Sequence, residues 1–208
     1  MKDDNTEKAI LDAAQREFAE KGFHGARMQT IANRAGANKA LLHYYFRTKE
    51  QLYLRALEPI GNAFREAVEP RVKALRPGDL RGLARILATF AVTEGRRAPH
   101  SRILITELST GGTHLPKLGS VFTQSLEGLQ RTILAFLRDG IDQGLLKPYH
   151  PMKIFNNLMG MCWNIFLLNP MADVVFDQTG TPKDAAFYED YIHLIEEMAA
   201  AGLEIPPK

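Results

Sequence analysis

Residues 27–49 read RMQTIANRAGANKALLHYYFRTK. Apolar residues recur at helical spacing before Gly36 and again after Asn38, so the stretch predicts two short helices, 28–35 and 39–46, around a glycine turn. In the first, Met28, Ile31 and Ala32 fall on one side; in the second, Leu42 and Phe46 fall one turn apart and face a core. Asn38 suits the cap of the second helix, because its side-chain oxygen can accept an otherwise orphaned N–H. From Gly22 to Lys49 there is no Asp or Glu, while Arg27, Arg34, Lys39, Arg47 and Lys49 are basic. The whole chain carries a formal charge of only +2, so this segment is a local positive field. A short helix, a glycine turn and a second short helix in such a field read as a DNA-binding helix-turn-helix.

Outward from that stretch, the chain of 208 residues is helical throughout by pattern. A first helix is expected over 6–21, capped by Asn5 or Thr6 and closed by Gly22, with Phe23 folding back. Thr48 should cap a fourth helix that runs to Val68. Longer helices are expected over 79–97, 100–109, 121–143, 152–168 and 184–200, with a loop over 144–151 and a link over 169–182. The resulting division is a head over 1–48, a connecting helix over 49–69 and a larger domain over 70–208. One cysteine, Cys162, excludes an internal disulfide framework, and the histidines lack metal-ligand spacing, so no metal or cofactor is expected. The acidic N-terminus is unlike a secretion signal, and asparagines interrupt the most apolar window, so the expected setting is cytoplasmic with no membrane partner.

Several linked motifs carry a resemblance. Ala14-x-x-x-Phe18-x-x-x-Gly22-Phe23 precedes Met28-x-x-Ile31-Ala32-x-x-Ala35-Gly36; Lys39-x-x-Leu42-x-x-Tyr45-Phe46 and Phe46-x-x-Lys49-x-x-Leu52 follow. Over residues 6–57 this resembles the N-terminal domain of the TetR family of bacterial transcriptional regulators. The resemblance implies an all-α homodimer with a three-helix DNA-binding head and a regulatory domain that binds a small-molecule effector and pairs through its last two long helices. It also implies a double-stranded, palindromic DNA operator as partner.

Residue by residue, the resemblance places Asn38 at the cap, Lys39 and Ala40 at the tip, and His43 and Tyr44 along the contacting face; Arg27, Gln29, Leu41 and Lys49 complete the DNA-contact set. Lys39 could reach a guanine edge or a phosphate, and His43 could instead be a partly buried filler. Lys49, at the start of the fourth helix, is assigned as a phosphate clamp. Arg34 and Arg47 are open between solvation and engagement. Two positions depart from the family pattern: Arg27 stands where a hydroxyl cap is usual, and Leu41 where threonine is usual.

The segment 152–168, MKIFNNLMGMCWNIFLL, is apolar on nearly every side and so must be covered on more than one. Phe155, Met159, Trp163 and Phe166, with Phe122 and Leu126, could line an apolar ligand pocket or be plain core. Ile154, Leu158, Met161 and Ile165, with Tyr191, Ile195 and Met198 of the final helix, are the expected dimer face. No nucleophile–base pair or carboxylate pair stands out, so an enzyme is not expected. The remaining alternatives are an activator of the same architecture and a ligand-independent, nucleoid-type DNA binder.

Overall fold

A computed structural model of the chain describes residues 2–96, 102–103, 105–106, 115–175 and 182–205. Among them eight long or short helices carry the fold: α1 (Lys2–Gly25), α2 (Met28–Arg34), α3 (Lys39–Tyr45), α4 (Lys49–Lys73), α5 (Leu80–Gly95), α6 (Leu115–Asp142), α7 (Pro151–Val175) and α8 (Ala185–Leu203). The described β-structure is one isolated antiparallel bridge between Leu146 and Glu204. The all-α class is therefore as expected. By packing, the chain divides into two units, Met1–Ala63 with Arg96–Leu126, and Phe64–Gly95 with Glu127–Lys208.

The first unit is built on a cluster in which Ile10, Ala14 and Phe18 of α1 meet Ile31 and Ala32 of α2, Leu42 of α3, Phe46, and Leu52, Tyr53 and Leu57 of α4. Nearly all of these side chains are fully buried, which makes the three short helices one body with the start of α4. Gly22 sits at φ 66°, a left-handed conformation that interrupts α1 before a final turn. Phe23 consequently folds back, stacked 6.3 Å from Phe18 and edge-on to Tyr53 at 5.1 Å. Gln15, buried in this core, donates through Nε2 to the carbonyl of Ala56 at 2.9 Å and so ties α1 to α4. Ile103, far along the sequence from the four helices, is also buried in this cluster. The unit thus takes in chain that a division at residue 70 assigns elsewhere.

Several helix boundaries differ from expectation by four residues or more. α1 begins four residues before Thr6, α4 runs through Pro59 and Pro70 to Lys73, α6 starts at Leu115, and α7 continues past Asn169 and Pro170 to Val175. Proline removes one N–H and strains the preceding turn, but tertiary burial can outweigh that. In α4, Val68 and Val72, one turn apart and flanking Pro70, are both buried. The expected helix over 100–109 lies mostly outside the described residues; 102–103 and 105–106 are helical.

In the second unit α5 packs against α7 and α8. Leu80, Leu83, Leu87 and Phe90 of α5 point inward, and Leu129, Ile133, Phe136 and Leu137 of α6 are buried too. Arg85 pairs with Glu196 at 2.8 Å and with Glu189, and Arg81 pairs with Glu197, all across α5 and α8. Asp184 caps α8, its carboxylate accepting from the Phe187 N–H at 3.0 Å.

Candidate nucleic-acid interface

The turn between α2 and α3 closes by backbone bonds that only a glycine at Gly36 makes easy. Gly36 has φ 64°, and the Ala37 N–H donates to the Ala32 carbonyl at 2.9 Å while Gly36 N–H donates to Asn33 at 3.2 Å. α3 then starts under a side-chain cap: Asn38 Oδ1 accepts from the Leu41 N–H at 2.7 Å. Leu42 and Phe46 anchor this helix in the core, and helical geometry turns Lys39, Ala40, His43 and Tyr44 outward. All four are exposed, Tyr44 by 77%, and the Tyr44 ring stands edge-on to half-buried Tyr45. His43 is therefore on the surface rather than a core filler. Leu41 is half-buried.

The flanks of the recognition helix are less uniform than the charge count suggests. Arg27 occupies the N-cap position of α2 in extended conformation, makes no capping bond, and is exposed. Gln29 is exposed and donates to Asn33 at 2.9 Å. Thr48 caps α4, its hydroxyl accepting from the Gln51 N–H at 3.1 Å. Lys49 is half-buried: its ammonium donates to the His24 carbonyl at 3.2 Å and lies 4.9 Å from the centre of the Phe23 ring. Burial pulls its pKa below the ordinary lysine value, partly opposed by the charge of Glu17.

Arg34 is held by α1. Its guanidinium forms a two-pronged pair with Glu20 of α1, Nη1 to Oε1 at 3.0 Å and Nη2 to Oε2 at 2.7 Å, and Nη2 lies 3.5 Å from Glu17. The acids absent from residues 22–49 are supplied by α1, so the segment's five cations are not equally available to a ligand. Spacing within residues 27–49 could not reveal this, because the acids lie 14 and 17 positions earlier on another helix.

The match of a family model completes the picture: residues 10–56 match the bacterial regulatory proteins of the tetR family. Over 200 residues the chain is 30% identical to the HTH-type transcriptional regulator RutR of Escherichia coli K12, covering 94% of this chain and 89% of that protein. The chain belongs to the TetR family. It is an HTH-type, DNA-binding transcriptional regulator. The HTH-type transcriptional repressor NicS of Pseudomonas putida is 31% identical over 144 residues, 69% of this chain and 65% of that protein. Among solved structures, a transcriptional regulator from Streptomyces coelicolor superposes with a TM-score of 0.64 at 29% identity, covering 93% of this chain and 97% of that one. Among the described residues no helix is long and apolar enough to cross a membrane, and no group of metal-ligating side chains gathers.

In the second unit of this TetR-family chain, α7 separates its apolar residues differently from the expected split. Ile154, Leu158, Cys162 and Ile165 form the buried stripe, with Trp163 beside it. Ile154, Leu158, Ile165 and, on α8, Ile195 therefore have no surface to offer a partner, which corrects their assignment to a dimer face. Tyr191, half-buried, is used internally: its hydroxyl donates to the Met161 carbonyl at 2.5 Å and accepts from the Ile165 N–H at 3.2 Å. Met161 is half-buried, and Met198 alone of that set is exposed, by 56%. The apolar residues that do face outward are Leu167, Leu168, Met171, Val174 and Val175 on α7, with Leu194 and Met198 on α8.

Of the pocket stripe, Phe155, Met159 and Phe166 are half-buried and Trp163 is buried. Phe166 lies 6.0 Å from Trp163 and stacks on Tyr188 at 6.3 Å. The side chains of Phe122 and Leu126 lie outside the described ones. At the far end of α5 the chain has Gly95, and a Cβ there would meet the Phe166 ring at 2.3 Å. The Phe166 ring thus closes directly onto backbone. Cys162 is fully buried, and burial pushes its thiol up to about 12.

Proposed function

We propose that the chain works as a cytoplasmic homodimeric repressor of a palindromic operator, released by a small, largely apolar effector. The observation that carries the reading is the outer face of α3: Lys39, Ala40, His43 and Tyr44 are exposed together on a helix anchored from behind by Leu42 and Phe46. A recognition helix needs just this combination of a rigid back and an open front. Lys39 and Arg27 supply phosphate attraction, Lys49 acts as clamp, and His43 and Tyr44 read base edges or the thymine methyl.

Dimerisation follows from the outward face of α7 and α8. Met171, Val174 and Val175 are 58%, 78% and 63% exposed, and with Leu194 and Met198 they are apolar side chains that a partner would take out of water. Pairing by twofold symmetry would cover that face and carry two heads to half-sites about one helical turn, ~34–36 Å, apart. The effector reading rests on Trp163, Phe166 and Tyr188, adaptable aromatic walls beside Met159. Two solved proteins of similar fold point the same way: AibR, 22% identical, was solved with isovaleryl coenzyme A and operator DNA, and FadR of Bacillus subtilis, 21% identical, with stearoyl-CoA. An effector that prefers one head separation would shift the dimer toward that state, and α4, continuous from Lys49 to Lys73, is the relay.

The test is selection from a random-sequence duplex library by the purified chain, followed by anisotropy titration of the enriched duplex. The reading expects an inverted repeat with half-site centres about one turn apart. Uniform, salt-sensitive binding without enrichment would instead support a nucleoid-type protein.

A further inference from the structure

We propose that Glu17, Glu20 and Arg34 form a clamp between α1 and α2 that sets the attitude of the helix-turn-helix. Arg34 then governs DNA affinity by position and does not touch phosphate. This rests on the DNA-reading function proposed above and concerns a residue that its position, in the acid-free basic segment, would assign to the phosphate-binding set.

The geometry is specific. Both oxygens of Glu20 accept from the two terminal nitrogens of Arg34, at 3.0 and 2.7 Å, the paired arrangement that fixes a guanidinium in direction as well as place. Glu17 lies one helical turn before Glu20 on the same side of α1, and its side chain is only 4% exposed. Its Oε2 accepts no hydrogen bond and has Arg34 Nη2 at 3.5 Å. A buried carboxylate is costly without nearby positive charge, so Arg34 is held from one side by geometry and from the other by the charge of Glu17, which it shares with Lys49. Releasing Arg34 to a phosphate would take from Glu17 its ion-pair partner and leave it the field of Lys49.

What Arg34 holds is the end of α2. It is the last residue of that helix, two positions before Gly36, and the Ala37 N–H that starts the turn is bonded back to Ala32. The direction in which α3 leaves the turn therefore depends on where the last turn of α2 is fixed against α1. The hydrophobic contacts of Ile31 and Ala32 set the depth of α2, but apolar packing is non-directional and leaves rotation about the helix axis to a directional contact.

The experiment uses the full-length chain and the duplex that the wild-type chain itself enriches from a random library. Affinity is measured from 50 to 200 mM salt for Arg34→Ala, Glu20→Ala, the double variant and Glu17→Gln, below each variant's measured melting transition. The clamp expects Arg34→Ala and Glu20→Ala each to weaken binding, roughly three- to tenfold, and the double variant to be no weaker than the worse single. The slope of log K against log salt should stay within about 0.5 of wild type, because no phosphate contact is lost. A phosphate-contacting Arg34 gives the opposite signs. Glu20→Ala would free the guanidinium and tighten binding, and Arg34→Ala would flatten the slope by about 1.8 for two protomers. Either of those results, or unchanged affinity in both single variants, overturns the clamp. Should Arg34→Ala fail to fold, Glu20→Ala and Glu17→Gln carry the same sign test. Absence of any enriched duplex with the wild-type chain would overturn the DNA reading itself, and is distinguishable on that ground.

Discussion

Replacing Lys49 should change the salt dependence of DNA binding without changing which sequences are preferred. Lys49 uses one of its three N–H donors on the His24 carbonyl, 3.2 Å away, and leans on the Phe23 ring at 4.9 Å, so the ammonium is steered rather than consumed. In Lys49→Met the stem still packs and the charge is gone; the exposed His24 carbonyl can turn to water, and the lost cation–ring contact costs folding only about 0.5–1 kcal/mol. One phosphate contact contributes about 0.9 to the slope of log K against log salt, hence about 1.8 for a dimer. Over a fourfold rise in salt, from 50 to 200 mM, the wild-type complex should therefore weaken roughly 12-fold more than the variant does. Fluorescence anisotropy on the enriched duplex and on two duplexes with altered half-sites reads both the slope and the ranking. The sign of the pH effect follows from the same site. Burial lowers the pKa of Lys49 in the free chain, so its contribution is present at neutral pH and is lost as pH rises through that lowered value. Lys49→Arg should keep the contribution to higher pH. An unchanged slope together with unchanged affinity in Lys49→Met would refute the clamp assignment.

Three further outcomes can be checked independently. Leu42→Ala removes a fully buried side chain shared by α1, α3 and α4, and should destabilise the head by about 3 kcal/mol, measured by thermal or urea unfolding. Cys162, with its thiol raised to about 12 by burial, should resist alkylation at pH 8 in the folded chain and react fully in denaturant; rapid labelling of the folded chain would contradict its burial. Val174→Asp, at an exposed and apolar position of α7, should shift the chain from dimer to monomer in analytical ultracentrifugation while leaving the monomer folded.

The reading head was legible because its signals are local. Gly22 and Gly36 both take φ above 60°, and each was visible as the glycine ending a run of helical periodicity. Asn38 and Thr48 both cap the helices they precede, since a short polar side chain before an apolar repeat has few other uses. The expected helix ends at Val68 and Leu168 fall just before Pro70 and Pro170, yet α4 and α7 run through both; at Pro70 the buried Val68 and Val72 hold the helix through the loss of a single backbone bond. What escaped entirely were contacts made at long separation, the burial of Ile103 in the head core and the pairing of Arg34 with α1.

The regulatory half was harder for a physical reason that lies in α7 itself. An amphipathic helix announces its inward side by contrast, and this one offers little: both candidate stripes are apolar, and beyond Lys153 and Asn156 near its start only Asn157, Gly160 and Asn164 break the pattern. Those three residues are exposed, so the polar and small positions did mark the outward side, and the inward stripe had to lie opposite, through Ile154, Leu158, Cys162 and Ile165. Continued along the helix, the marked side runs onto Leu167, Leu168, Met171 and Val174, where it turns apolar while staying in solvent. A face that begins with asparagine and glycine and ends with leucine and valine is poorly suited to a protomer's own core. It suits a partner helix that crosses closely at Gly160 and buries area toward Val175. With the proposed pairing there, the half-buried Phe155, Met159 and Phe166 would lie on the flank between that face and the buried stripe. That is where a ligand could alter the packing of α7 without having to displace the buried Ile154–Ile165 stripe.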